Sequence, residues 1–348
     1  MNGSGQKRHR SREGANKLVG FSLSYQRANM LARGLGFEHL RELVVRIARP
    51  LLRQGTNLAY GGKWQVNSPD PENFTQVLVQ LISAEQEDRT IGDAAESKLA
   101  IGRLFNHSAW PNYLQISRRD EAQYINVCRI VRITQQMAGL GGSDVVPDQD
   151  ASSGSDRSVF NAAVTLSAMR AKMCEELQLS IPGLAETEPI PALHARIVFG
   201  GKVGGYTGFL PGIFEETLRA MERNLPIYLL GGFGGATEIL AKALIDTSTV
   251  RPPELDPEWH AQKNPTVVRL LGLIPRFGAP PDVRTTAAAL NALWGDILAA
   301  RSNLAGALNT GLEEADTRTL LTTRDPAQVV QLVHKGLRAR GLLRAATE

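Results

Sequence analysis

Three times in this chain a short apolar run suited to a buried strand ends on paired glycines: 57–60 before Gly61 and Gly62, 194–199 before Gly200 and Gly201, and 226–230 before Gly231 and Gly232, with Gly234 and Gly235 close behind. A single Gly-Gly is ordinarily a tight turn. Three in matching positions, interleaved with helical periodicity, point to βαβ units. Their right-handed crossovers build a parallel sheet whose ligand crevice lies beyond the carboxyl ends of the strands. Glycine there lets backbone N–H groups come close to an anion, and the following helix adds a favourable dipole. The expected fold class is α/β, a Rossmann-like parallel sheet with helices on both faces and a C-terminal helical extension. The expected guest carries a phosphate.

The first strand starts at Leu18 and breaks into Ser22, Leu23, Ser24 and Tyr25. Phe37, Leu40, Leu43, Val44, Ile47 and Leu51 recur at helical spacing over 37–53, and Gln54 and Gly55 stop that helix before the strand at 57–60. Further helices are expected at 72–84, 158–178, 213–224 and 236–245, with a short helix or strand near 120–134. Residues 138–157 mix Gly, Ser, Asp and Pro without periodicity and read as a mobile loop. Beyond Thr249 a series of prolines from Pro252 to Pro281 marks a connector, followed by an all-helical tail. The expected organisation is a disordered basic arm at 1–16, a nucleotide-binding domain at 17–249, and a connector with helical tail at 250–348.

Most of the formal charge of +4 is carried by that arm, where Lys7, Arg8, His9, Arg10 and Arg12 crowd together. The remainder is nearly neutral and shows no basic stripe, so nucleic acid is not an expected partner. Cys128 and Cys174 have no metal-ligand spacing and no two histidines sit at i, i+4, so neither a disulfide scaffold nor a metal site is expected. No secretory signal or membrane-spanning run is present, and the expected location is the cytoplasm. A Walker-type Gly-Lys-Ser/Thr and a Gly-x-Gly-x-x-Gly after the first strand are both missing, which argues against P-loop ATP hydrolysis and an ordinary dehydrogenase. Trp110, Pro111 and Tyr113 fit an aromatic core cluster better than a base-stacking platform.

The stretch GGKVGGYTGFLPGIFEE, from Gly200 to Glu216, carries most of the chemistry. Pro211 and Gly212 open a helix and put Glu215 and Glu216 in its first turn, where carboxylates complement the dipole. Functionally, one of them serves a bound ribose as hydrogen-bond acceptor or general acid/base, with Lys202 or Arg170 on the phosphate. Adjacent helical residues point about 100° apart, so one is expected to face the pocket and the other solvent.

The series Met169, Arg170, Lys172, Met173, followed by a strand and then Leu210-Pro211-Gly212 with Glu215-Glu216, resembles the Met-x-x-Arg-Lys helix and Pro-Gly-Gly-x-Gly-Thr-x-x-Glu motif of the LOG phosphoribohydrolases, within the SLOG (SMF/DprA–LOG) superfamily. GGKVGGYTGFLPGIFEE with PIYLLGGFGGATEIL is more similar to SLOG domains of prokaryotic anti-phage systems, and FSLSYQ and AYGGKW fit that pattern. The resemblance spans 17–246. It implies a pocket for NAD-derived or other nucleotide ligands such as ADP-ribose, read in sensor members as second messengers in antiviral defence. Ser22 and Ser24 then line the first loop, Gly61 and Gly62 the second, Gly200, Gly201 and Lys202 the third, and Gly212, Gly231, Gly232, Gly234 and Gly235 complete the ligand-binding set. Arg170, Glu215 and Glu216 correspond to the LOG catalytic region. This chain lacks the LOG Gly-Thr, which removes phosphate contacts and shifts the carboxylate register. The reading therefore favours a nucleotide sensor, with a nucleotide N-glycosidase as the alternative. No cofactor is required; a homo-oligomer and a separate effector protein are the expected partners.

Overall fold

Residues 17–64, 66, 72–91, 102–180, 187–278, 280 and 283–344 are described by a computed structural model; the basic arm lies outside them. The strands are β1 (Leu18–Ser24), β2 (Asn57–Tyr60), β3 (Leu104–Ala109), β4 (Cys128–Ile133), β5 (Leu177–Ser180), β6 (Thr187–Ile190), β7 (Ala195–Gly200) and β8 (Ile227–Leu229). Six of them form one sheet in the order β4-β3-β2-β1-β7-β8, with every pairing parallel. β3 and β7 are buried along their whole length, as a parallel sheet covered on both faces requires. The chain builds outward from β1 to β4, then crosses back to place β7 on the other side of β1. The reversal between β1 and β7 is the switch point where open α/β sheets leave their ligand crevice.

The helices are α1 (Arg27–Leu31), α2 (Phe37–Arg53), α3 (Phe74–Ile91), α4 (Arg118–Tyr124), α5 (Asp156–Lys172), α6 (Gly212–Glu222), α7 (Gly235–Ile245), α8 (Pro257–Lys263), α9 (Pro265–Phe277), α10 (Thr286–Ala300), α11 (Leu304–Ala307), α12 (Glu314–Thr322) and α13 (Pro326–Ala339). On one face of the sheet Leu43 and Ile47 of α2, Leu78 and Ile82 of α3, and Val329, Val333 and Leu337 of α13 pack with Phe21, Leu58 and Ile197. On the other, Phe160, Val164 and Met169 of α5 cover Leu18, Ala59 and Phe105. A third cluster joins Phe214 and Leu218 of α6, Leu240 of α7, and Leu290 and Leu293 of α10 to Val198 and Leu229. No described helix is long and apolar enough to cross a membrane.

Three local features depart from the sequence reading. The helix expected to reach 178 ends at Lys172, and Leu177 instead starts β5, which pairs antiparallel with β6 outside the main sheet. Met169, Met173 and Leu177 fall at helical spacing, but the cross-strand partner at 187–190 takes the last of them. Residues 138–157 contain two 3-10 turns, Gly142–Asp144 and Asp148–Asp150. The Gln135 side chain both donates to the Val146 carbonyl (2.8 Å) and accepts from its N–H (3.0 Å), and Asn161 donates to the Asp144 carbonyl (2.7 Å). The proline series builds helices: Pro257 and Pro265 stand at the first positions of α8 and α9, where no N–H is needed, with Asp256 and Asn264 as side-chain caps.

The core crosses residue 249 without a break, because α13 lies on α2 and α12 on α7. A chain ended at residue 282 loses every residue that α10 and α13 bury against the sheet layers. Such a chain is expected to lose cooperative unfolding and to elute as aggregate, read by circular dichroism and size-exclusion chromatography. A soluble, cooperatively folded remainder would show that the sheet closes its core without the tail.

Candidate functional site

At the switch point the carboxyl ends of β1 and β7 meet the first turn of α6 and the last turn of α5. Strand pairing sets Ser24 opposite Gly200 and Ser22 opposite Val198. A cavity of about 200 Å³ opens there, and Ser22, Ser24, Gly61, Arg170, Gly201, Lys202, Gly212 and Glu216 are on its wall together with Tyr60, Tyr206 and Ile213. Eight of the residues singled out from sequence thus converge on one space. Gly62, Gly200 and Glu215 stand beside it, off the wall.

The floor is a buried network of charges. The Ser22 hydroxyl donates to Glu216 Oε2 and accepts from Arg196 Nη1 (2.8 Å), and the same Nη1 donates to Glu216 Oε2 (2.8 Å). Arg170 Nη1 is hydrogen-bonded to Glu215, while its Nε stands 3.7 Å from Glu216 Oε1. Of these side chains Arg196 is fully buried and the other three charged residues are less than a tenth exposed. Glu216 is therefore the carboxylate that faces the cavity, and Glu215 is turned toward α5; neither faces solvent as the helical spacing suggested, because Arg170 draws Glu215 into the interface of α5 and α6. Helix geometry assists the Arg170–Glu215 pairing, since Arg170 lies in the last turn of α5 where cations are favoured and Glu215 in the first turn of α6 where anions are; Glu216, expected in that turn too, falls just past it. A Cβ at Gly212 would sit 3.0 Å from Arg170 Nη2, so this glycine makes room for the guanidinium above the helix start.

The remaining glycines serve packing between backbones. A Cβ at Gly200 would lie 2.0 Å from the Ser24 carbonyl oxygen, and one at Gly235 would lie 2.6 Å from the Gly201 oxygen. The latter carbonyl accepts from Ala236 N–H (2.9 Å), which ties the β7 loop to the start of α7. Gly231 and Gly232 make way for the tail: their Cβ positions fall 2.3 Å from the Leu321 carbonyl oxygen and 2.0 Å from that of Thr323. Gly234, whose Cβ position lies 3.0 Å from the Arg33 guanidinium carbon, is likewise away from the cavity wall.

A family model described as SLOG cluster2 matches residues 14–184 and 187–293. The chain belongs to the SLOG cluster2 family. No curated protein matches it. Membership of the SLOG family suggests a nucleotide-related function for the chain. The member of the buried network that sequence reading passed over is Arg196, and its signal was present: one charged side chain in the apolar strand ARIVFG, which no strand of a covered sheet tolerates without a buried counter-charge. Trp110 turns out to be core, fully buried with its indole N–H donated to Asp148 (3.1 Å). Among the described residues no group of three or more His, Cys, Asp or Glu could hold a metal ion.

The network perturbs its neighbours. Burial, followed by the negative charge of Glu216, pushes the Tyr60 hydroxyl well above its ordinary value. Burial, reinforced by the positive charge of Arg196 and opposed by a hydrogen bond to the Phe105 carbonyl, pushes His107 down to about 4. The imidazole is thus neutral in the folded protein at pH 7.

Two outcomes follow. Arg196→Met leaves Glu216 with its strongest counter-charge gone and is expected to cost about 3 kcal/mol in denaturant unfolding, whereas Arg196→Met with Glu216→Met recovers most of that; equal losses in both variants would mean the pair is not an energetic unit. For His107 the folded value lies below the unfolded value of 6.5, so the unfolded chain binds the extra proton. Stability must fall as pH drops from 6.5 to 4, by about 3 kcal/mol from this residue. His107→Gln should flatten that part of the pH profile, and an unchanged slope would refute the assignment.

Proposed function

We propose that this SLOG chain is a receptor for a nucleotide-derived second messenger, of the NAD-derived (ADP-ribose-like) or cyclic nucleotide class, acting in prokaryotic anti-phage defence inside the cell. The observation that supports it best is the arrangement of charge around the cavity. Lys202 is exposed and has no ion-pair partner among the described residues, and Arg170 stands beside it on the same wall. Together they suit a phosphate. Glu216 Oε2 is already occupied by Ser22 and Arg196, which leaves Oε1 to accept from a ribose hydroxyl. A carboxylate held so firmly by its own protein is suited to recognition, since general-base work would require it to give up those bonds. Such a receptor passes its signal on through a change of assembly or to a separate effector chain.

The second reading, a nucleotide N-glycosidase, is favoured by one contact. Arg170 meets both Glu215 and Glu216, as the likeness to LOG enzymes implies for a catalytic arginine and glutamate. In that case Glu216 stabilises positive charge developing on the ribosyl carbon, and Arg170 holds the phosphate.

Incubating the protein with AMP, NAD, ADP-ribose, cyclic ADP-ribose isomers and cyclic di- and trinucleotides, with thermal shift and mass spectra from the same samples, separates the two. A receptor is stabilised by a ligand recovered intact, and Glu216→Gln weakens that stabilisation about tenfold in ligand concentration, the loss of about one charged hydrogen bond. Release of a free base that Glu216→Gln abolishes would establish the enzyme instead.

A further inference from the structure

The segment between β7 and α6 covers one side of the cavity; Phe209 and Leu210 at its far end are buried, and only its first half stands loose. Gly204 and Gly205 are exposed with open space around them, and Lys202 reaches into solvent. The segment is fixed at Tyr206, which is a wall residue of the cavity. Its hydroxyl is 2.9 Å from His260 Nδ1, and His260 Nε2 is 2.7 Å from the Glu254 carbonyl oxygen. A carbonyl only accepts, so Nε2 carries the ring proton and Nδ1 is left to accept from the tyrosine. The Tyr206 carbonyl in turn accepts from Asn264 Nδ2 (3.1 Å), whose Oδ1 caps α9 through Thr266 N–H (3.1 Å). His260 and Asn264 are buried. Tyr206 is thereby gripped at its hydroxyl and at its backbone by one stretch of chain, 254–264. With the hydroxyl spent on His260, the ring is what Tyr206 offers to the cavity.

The stretch does not end there. Asp256 caps α8, and Arg251 just before it donates to Asn291 of α10 (2.8 Å). At about 200 Å³ the cavity is smaller than the roughly 300–1,000 Å³ usual for small-molecule sites, so a large nucleotide held entirely inside it would need a wall to move. Residues 202–205 are the part of the wall with room to move, and Tyr206 is the first anchored residue after them.

We propose that Tyr206 and His260 couple the cavity to residues 253–264, with His260 the positioning residue for the Tyr206 ring, so that displacement of the loop is transmitted to α8 and onward to α10. The identity of the displacing ligand rests on the nucleotide reading above; the coupling itself does not.

Hydrogen exchange read by mass spectrometry on the full chain tests it without any ligand. Tyr206→Phe removes one hydroxyl and keeps the ring. Exchange should quicken about fivefold, the worth of one hydrogen bond, in peptides covering 202–210 and 253–264 alike, while α13 stays unchanged. His260→Gln should give the same pattern. Faster exchange confined to 202–210 would reduce Tyr206 to a local anchor, a uniform rise that includes α13 would mean general destabilisation, and no change in either segment would mean that the bond carries nothing; each result overturns the coupling. ADP-ribose is then added as a probe. It should slow exchange in both segments of the natural chain and only in 202–210 of Tyr206→Phe; protection that reaches 253–264 in the variant also overturns the coupling. If ADP-ribose leaves melting and exchange untouched, the nucleotide reading fails for that probe, and the ligand-free comparison still decides the coupling.

Discussion

The geometry of this protein turns on a guanidinium placed where no water can reach it. Arg196 lies within β7, between Ala195 and Ile197, and is fully buried. An unpaired charge at such a depth costs several kcal/mol, so the fold is admissible only if an anion is brought to it. Glu216 supplies the anion from α6 and Ser22 joins both from β1, which fastens three elements together at the one place in the sheet where the strand order reverses. Arg170 extends the bond to α5 through the neighbouring Glu215. Two arginines and two glutamates neutralise one another, and the cavity inherits its floor from their packing.

Much of this was legible in the sequence, for identifiable reasons. The α2 and β2 limits follow from apolar spacing closed by Gln54 and Gly55, and the carboxyl-edge location of the site follows from strands ending on glycine. Glu215 and Glu216 could be singled out by their place at a helix start, but which of them faces the cavity depends on how α6 rotates against β7. Local spacing does not encode that rotation. The hairpin of β5 and β6 was missed because Leu177 satisfies a helical period as well as a strand, and only its partner at 187–190 decides between them. The proline series suggested a connector, yet at first helical positions proline starts helices, as Pro257 and Pro265 do.

The recurring glycines had two different causes that look alike in one dimension. Gly61, Gly201 and Gly212 border the cavity, where the absence of a side chain leaves room for Met169, Ile213 and Arg170 to close around it. Gly231 and Gly232 end an equivalent strand, but the backbone they admit is that of Leu321 and Thr323. A strand-to-glycine ending therefore marks close approach of something. Which partner arrives, a ligand or the chain's own tail, is settled by where the C-terminal helices dock, a contact spanning some ninety residues of sequence.

Charge placement also limits how any anionic guest can lie. Lys202 and Arg170 are the cations on the cavity wall, while Glu216 presents its less occupied oxygen to the same space. A phosphate set against Glu216 would meet a carboxylate whose own counter-charges are already engaged; set against Lys202 it would meet a cation with no competing partner among the described residues. In the proposed reading the polar ends of a nucleotide are thus ordered before it binds, phosphate toward the glycine-rich segment and hydroxyls toward α6. Because Lys202 rides on the segment that Tyr206 restrains, the two proposals meet in one place: recognition of the ligand and displacement of the wall become properties of the same eleven residues, 201–211.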